Sequence, residues 1–128
     1  MATTTTRTST NRTAAHTNSL AVSPEDIVRR LADVLGKNVL AFIVSRDART
    51  ISRWIADTQL RLDPETDRTV RNTHQVYVLL STVEGDHTIR AWFMGMNPQL
   101  EEEAPAEALA EGRFREVMAA AKAYVNGG

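Results

Sequence analysis

The sequence predicts an all-α fold in which an N-terminal helix-turn-helix-like module is joined by a long helix to a small C-terminal helical module. Apolar residues recur at three- and four-residue spacing, which is typical of helices that bury one face. Helix-start signals precede several of these stretches, and no alternating apolar and polar pattern exceeds four residues. The predicted divisions are a disordered tail over residues 1–22, the helix-turn-helix-like module over 23–62, the connecting helix over 63–85 and the C-terminal module over 86–128.

The predicted tail is mostly Thr, Ser, Ala and Asn, and after Met1 its only sizeable apolar side chains are Leu20 and Val22. Such a segment cannot bury enough surface to offset the entropy lost on ordering. The first helix follows it, with Ser23 as N-cap, Pro24 at the first helical position and Gly36 as the C-terminal stop. Its predicted buried stripe consists of Ile27, Leu31, Val34 and Leu35.

Two more helices complete the first module. The apolar run from Val39 to Val44 is too short to assign by periodicity, and its position after Gly36 favours a second helix. A third helix is predicted to start at Asp47, whose carboxylate can cap it, and to end at Asp57 or Gln59. Its predicted buried side consists of Ile51, Trp54 and Ile55.

The connecting helix is predicted from the start signal Asp63-Pro64-Glu65 to Gly85, with Val70, Tyr77 and Leu80, and with Val76 and Val83 as further candidates, on its buried side. The pieces that follow are a helix from Asp86 to Met94, an Asn97-Pro98 turn, a helix from Pro105 to Glu111, a stop at Gly112 and a helix from Arg113 to Val125. The acidic loop Glu101 to Glu103 is interpreted as a solubility feature.

Composition argues against several classes of protein. The absence of cysteine excludes disulfides, thiolate zinc sites and cysteine nucleophiles, and His16, His74 and His87 lack ligand spacing, so neither a metal nor a cofactor is predicted. The longest apolar run has six residues, far short of the roughly 20 needed to span a bilayer. The sequence therefore predicts a cytoplasmic protein with no membrane partner.

No catalytic arrangement is apparent either. Asp63, Glu65 and Asp67 form an acidic cluster, but helix capping explains it, and Ser23, Ser45 and Ser81 have no His and acid at a recognisable spacing. We therefore expect a binding protein rather than an enzyme.

Charge is distributed unevenly along the chain. Between Arg29 and Arg61, seven basic residues stand against three acidic ones, whereas from Glu84 to Glu116 eight acidic residues stand against three basic ones. Such a division is compatible with two different partners, and equally with solvated faces alone.

The third helix carries the residue types needed to bind DNA. In a helix-turn-helix the last helix enters the major groove, where arginines pair with guanine and hydroxyls reach phosphates or base edges. The candidate DNA-binding residues are Arg46, Arg49, Thr50, Ser52 and Arg53. The alternative is a plain helical hairpin with a basic surface.

A second group of residues surrounds the Asn97-Pro98 turn. Trp92, Phe93, Met94 and Met96 are ordinary core residues in most small proteins, and they also occur at interfaces. The last helix ends in Tyr124, Val125 and Asn126, which places an aromatic side chain at its end.

The order of these motifs resembles the Xre/MbcA/ParS antitoxins over about residues 23–125. A helix-turn-helix ending in Arg53-Trp54 is followed by Trp92, then by Asn97-Pro98-Gln99-Leu100, and then by Pro105, Leu109 and Gly112. The resemblance implies an antitoxin that neutralises a RES-domain toxin, an enzyme that destroys NAD, by occluding its active site. It further implies repression of the operon through operator DNA, and homodimers or larger complexes.

Carried over to this chain, the resemblance assigns partner binding to two groups of residues. Trp92, Asn97, Pro98 and Leu100 would shape the module, and Tyr124, Val125 and Asn126 would lie nearest the toxin. Two alternatives remain. One is a stand-alone DNA-binding regulator, such as a phage or mobile-element repressor, whose C-terminal module self-associates; the other is a chain whose helix-turn-helix is purely structural and which binds only the protein partner.

Overall fold

The computed structural model describes residues 22–127, and every regular element in this range is helical, which confirms the all-α prediction. A 3₁₀ turn over Pro98–Leu100 lies between the fifth and sixth helices, and one isolated bridge joins Asn97 to Glu103. The predicted tail, apart from Val22, falls outside the described residues. The helices are α1 (Pro24–Leu35), α2 (Lys37–Val44), α3 (Ala48–Ala56), α4 (Pro64–Leu80), α5 (Asp86–Met94), α6 (Pro105–Ala110) and α7 (Phe114–Val125).

The starts of α1, α3 and α4 are fixed by the three predicted caps. The Asp26 amide donates to Ser23 Oγ at 3.3 Å, and the Thr50 amide donates to Asp47 Oδ1 at 2.9 Å. Asp63 accepts from the Thr66 amide at 3.2 Å. The hydrogen bonds from Thr50 and Thr66 lower the pKa of Asp47 and of Asp63, respectively, because they stabilise the ionised carboxylates. These local contacts confirm the predicted helix starts.

Helix α4 ends at Leu80, five residues before the predicted end at Gly85. The hydroxyl of Ser81 donates to the Val78 carbonyl and that of Thr82 donates to the Leu79 carbonyl, both at 2.7 Å. Side chains that bond to nearby carbonyls in this way compete with the helical pattern. The prediction that Val83 lies on the buried side of this helix was wrong, since Val83 follows the helix and is 49% exposed.

All seven described helices contribute to one hydrophobic cluster. The predicted stripe of α1 is buried, and α1 packs against α2, α3, α4 and α5, while α4 lies along α7. Helix α2 also packs against α6, so the helices of the predicted first module and those of the C-terminal module share the same core. In α3, Ile51 is fully buried, whereas Trp54 and Ile55 are half-buried at the edge of this core.

The imidazole of His74 is buried on α4. Its ring centroid lies 6.1 Å from that of Tyr77, which in turn lies 5.6 Å from the Arg30 guanidinium. Burial lowers the pKa of His74 below its ordinary value of 6.5, and the positive charges of Arg71 and Arg30 lower it further. The folded protein therefore holds this imidazole neutral at pH values where an unfolded chain takes up a proton.

We expect the free energy of unfolding to fall as the pH drops below about 6.5, because the unfolded state then binds the proton that the folded state resists at His74. Urea denaturation at about pH 7.5 and about pH 5.5 measures this difference. The variant His74→Gln should show a smaller difference than the wild type, whereas His87→Gln, at an exposed position, should not. An equal difference in wild type and His74→Gln would assign the pH dependence to other groups.

Candidate functional site

Helices α2 and α3 are joined by a three-residue turn, Ser45 to Asp47. Ser45 has left-handed backbone angles, with φ 60° and ψ 46°, and this ends α2. The Arg46 amide then donates to the Ala41 carbonyl at 2.8 Å. The short turn leads from α2 into α3, which packs against α2 and buries Ile51 in the core. Turns of three or four residues also join the two helices of helix-turn-helix motifs.

Four of the five predicted DNA-binding residues lie together on the outer side of α3. Arg49 and Arg53 are exposed and one helical turn apart, and Thr50 and Ser52 are half-buried beside them. An Arg53 guanidinium nitrogen lies 3.4 Å from Thr50 Oγ1, to which it donates. No ion pair or hydrogen bond of the Arg49 side chain is found within residues 22–127. This face therefore presents two arginines and two hydroxyls to solvent.

Arg46, the fifth predicted DNA-binding residue, is placed differently. One nitrogen of its guanidinium donates to the carbonyls of Val44 and Ser45, at 3.3 and 3.2 Å. Its other terminal nitrogen donates to Thr66 Oγ1 at 3.2 Å and to Asp63 Oδ1 at 3.5 Å. Arg46 therefore connects the turn to the start of α4, and its donors are directed at protein groups.

The second candidate site is a group of aromatic side chains at the ends of α5 and α7. The half-buried Trp92 ring meets the buried Phe93 ring edge-on, with centroids 5.4 Å apart, and lies 6.5 Å from the Tyr124 ring. The Tyr124 hydroxyl donates to Glu84 Oε2 at 2.6 Å. This hydrogen bond raises the pKa of Tyr124, because ionisation would remove the donor and place two negative charges side by side.

Two residues of this site were missed by sequence reasoning. Glu84 orients Tyr124, and its neighbour Val83 is exposed in the same connection between α4 and α5. The signal that could have shown this connection is the pair of hydroxyl residues Ser81 and Thr82, which shortens α4. We define the partner surface as Val83, Glu84, Trp92, Tyr124 and Val125.

The Asn97-Pro98-Gln99-Leu100 motif forms a structural turn that packs against α7. Asn97 Oδ1 accepts from the Gln99 amide at 2.9 Å, and the Asn97 carbonyl accepts from the Glu102 amide at 2.9 Å. Pro98 is exposed, whereas Leu100 is 1% exposed within the core. The Leu100 side chain therefore has no exposed surface to offer a partner, and it can shape the module only through packing.

At the end of the chain, Asn126 is exposed after the last turn of α7, and Val125 is half-buried. In the acidic loop, Glu101 and Glu102 are exposed, whereas Glu103 has a partner in the protein. Glu103 forms an ion pair with Arg113, which also bonds Glu111 at 2.9 Å and Glu116 at 2.8 Å. The Glu103–Arg113 pair connects the loop to the start of α7.

A third feature is an apolar patch. Phe42 is 52% exposed and Met96 is 77% exposed, and together with Met94 they border a groove of about 380 Å³ between α2 and the start of α6. Exposed apolar groups of this kind often mark contacts with other proteins. The methionines that the sequence left as either core or interface are therefore at the surface.

Within residues 22–127, no three His, Asp or Glu side chains are grouped closely enough to hold a metal ion. In the same range, no helix has the length and hydrophobicity required to cross a membrane.

Neither a protein-family model nor a curated protein sequence matches the chain. Its structure is similar to a chain in the crystal structure of the M. tuberculosis MbcT-MbcA toxin-antitoxin complex, with a TM-score of 0.65 and 23% sequence identity. The match covers 80% of this chain and 94% of that chain. The protein therefore has the all-helical fold of a chain in the MbcT-MbcA toxin-antitoxin complex.

Proposed function

We propose that this protein is the antitoxin of a type II toxin-antitoxin pair and that it neutralises a RES-domain, NAD-degrading toxin by occluding its active site. The observation that carries the proposal is the fold shared with a chain of the MbcT-MbcA toxin-antitoxin complex. The sequence resembles the antitoxin family that includes MbcA, so we take the antitoxin as its counterpart in that complex. On this proposal the chain acts by binding and has no catalytic activity.

The partner surface has the physical features of a binding site. Tryptophan and tyrosine dominate the energetics of protein interfaces, because each buries a large apolar area and retains a polar group. Tyr124 is already held by Glu84 and by the Trp92 ring before any partner binds. A side chain ordered in this way loses less entropy on association. We therefore place the toxin contact at the C-terminal end of α7.

The proposal is tested with a purified RES-domain protein encoded beside this gene. Mixing it with the full-length chain should abolish NAD consumption at a molar ratio near unity, and the two proteins should elute as one complex. NAD consumption that persists in the presence of a large excess of this chain would contradict the proposal.

The exposed face of α3 supports a second part of the proposal, in which the antitoxin represses its own operon by binding operator DNA. Single helix-turn-helix units read a few bases, and they gain affinity when two copies bind half-sites one turn of DNA apart. We therefore propose that the antitoxin acts as a homodimer. The candidate contacts are Arg49, Thr50, Ser52 and Arg53.

Replacing Arg49 or Arg53 with alanine should weaken binding to the DNA upstream of the gene. If the arginine contacts a base, the loss should be about 1–3 kcal/mol; if it contacts a phosphate, the binding affinity should depend less steeply on salt concentration. Gel shifts over a range of salt concentrations measure both effects. Arg115→Ala, which removes an exposed arginine from α7, serves as the control and should bind like the wild type. If both α3 variants bind the DNA like the wild type, the assignment of α3 as the recognition helix is wrong.

The alternative function is a stand-alone DNA-binding regulator of the phage or mobile-element type. The exposed patch around Phe42 and Met96 supports it, because a second copy of the chain could bury these apolar side chains. This alternative predicts operator binding by a protein that leaves every tested RES-domain enzyme active.

A further inference from the structure

Helix α3 packs against α1 and α2, with Trp54 and Ile55 at the edge of the core. It is nine residues long, and Ile51 is its one fully buried apolar side chain in the structure as described. Helices of this length are not stable in isolation, so their geometry depends on tertiary contacts. Polar contacts at the two ends of the helix add to this packing in fixing the orientation of α3.

At the C-terminal end of α3, that contact comes from α1. Arg29 Nε donates to the Ile55 carbonyl at 3.2 Å, and another nitrogen of the same guanidinium bonds Asp26 at 3.3 Å. Ile55 belongs to the last turn of α3, where carbonyls lack partners within the helix and the helix dipole is negative. Arg29 therefore satisfies a backbone acceptor and places positive charge at the favourable end.

At the N-terminal end, Arg46 has the corresponding position. Its guanidinium bridges two carbonyls of the turn to Thr66 and Asp63 at the start of α4. The planar group can do this because its two terminal nitrogens point in different directions. The turn that sets the direction of α3 is thus connected to the longest helix described.

We propose that Arg29 and Arg46 are positioning residues that fix α3 at its two ends, and that neither reads DNA itself. For α3 as a DNA-binding helix, this inference rests on the proposed function. It separates two pairs among the basic residues of the first module: Arg49 and Arg53 face solvent, whereas Arg29 and Arg46 bond the protein.

Lysine substitutions separate the two roles. A lysine keeps the positive charge and can still contact a phosphate as a point charge. At position 29, a lysine has a methylene group in place of the Arg29 Nε donor. At position 46, the single side-chain nitrogen of a lysine cannot reach both the turn carbonyls and the acceptors at the start of α4 that Arg46 joins. The variants Arg29→Lys and Arg46→Lys therefore preserve charge while removing the positioning contacts.

The first experiment is amide hydrogen exchange on the full chain without DNA. In Arg29→Lys and Arg46→Lys we expect the amides of residues 52–56 to exchange about tenfold faster than in the wild type, because local opening of α3 becomes easier. The matched variants Arg49→Lys and Arg53→Lys should exchange like the wild type. Unchanged exchange in the first pair would overturn the inference.

The second experiment measures binding to the DNA upstream of the gene and to a random duplex of the same length. Arg46→Lys should lower affinity for the upstream DNA about fivefold or more, whereas a phosphate contact would tolerate lysine with little loss. If Arg46→Lys binds the upstream DNA as tightly as the wild type, Arg46 contacts DNA directly, and its assignment as a positioning residue is overturned. If the wild type binds neither duplex, the DNA-binding part of the proposed function fails, and hydrogen exchange alone still decides whether the arginines position α3.

Discussion

Replacing Leu100 with alanine should lower the free energy of unfolding by about 2–5 kcal/mol, the range for truncating a fully buried leucine. Leu100 is 1% exposed and follows the Asn97 turn, which fixes its backbone beneath α7. The surrounding helices cannot close the cavity completely, since the turn is held by hydrogen bonds to Gln99 and Glu102. A loss of this size is a large fraction of the stability of a small protein.

Chemical denaturation of Leu100→Ala measures the loss directly. Gln99→Ala is the matched control, because it changes an exposed side chain next to Leu100. It keeps the backbone amide of residue 99, which donates a hydrogen bond to Asn97 Oδ1. Toxin binding by the folded fraction of Leu100→Ala should be close to that of the wild type. A variant with wild-type stability and no toxin binding would show that Leu100 contacts the partner after all.

Replacing Tyr124 with alanine should weaken toxin binding by about 2 kcal/mol or more, roughly thirtyfold, the level that defines an interface hot spot. The change removes an aromatic ring from the partner surface and also removes the contact with Trp92. Inhibition of NAD consumption as a function of antitoxin concentration gives the affinity. Lys122→Ala, which alters an exposed side chain on the same helix, should inhibit like the wild type.

The conservative variant Tyr124→Phe separates the ring from its hydroxyl. It keeps the apolar contact and removes the hydrogen bond to Glu84, so its loss should be smaller than that of the alanine variant. Full inhibition by Tyr124→Ala would place the toxin contact elsewhere on the molecule. Equal losses for the two variants would indicate that the hydrogen bond, rather than the ring, carries the interaction.

Features determined by neighbouring residues could be predicted from the sequence. The caps at Ser23, Asp47 and Asp63 depend on a side chain and an amide three residues later, and all three are confirmed. Helix α5 also begins at Asp86 and ends at Met94 as predicted, with a glycine on either side, and the Gly95 amide donates to the Ala91 carbonyl. Local hydrogen bonding sets these boundaries, so the residues that determine them stand side by side in the sequence.

Features determined by the packing of distant segments could not be predicted. The Tyr124 hydroxyl reaches Glu84 across 40 positions of sequence, and Arg29 reaches the Ile55 carbonyl across 26. Periodicity indicates which face of a helix is apolar, but it does not say which other helix covers that face. Leu100 illustrates the limit, since a single leucine after a turn has no periodic pattern from which its burial follows.

The shared core gives the molecule a thermodynamic link between its two ends. Helix α1 packs against both α3 and α5. Unfolding of the core would therefore disrupt the exposed arginines of α3 and the partner surface together. A partner that binds only the folded chain stabilises it by an amount that grows with the partner's concentration. On the proposed function, a toxin held at the end of α7 would therefore also increase the population of chains whose α3 is in place, with no change of shape required.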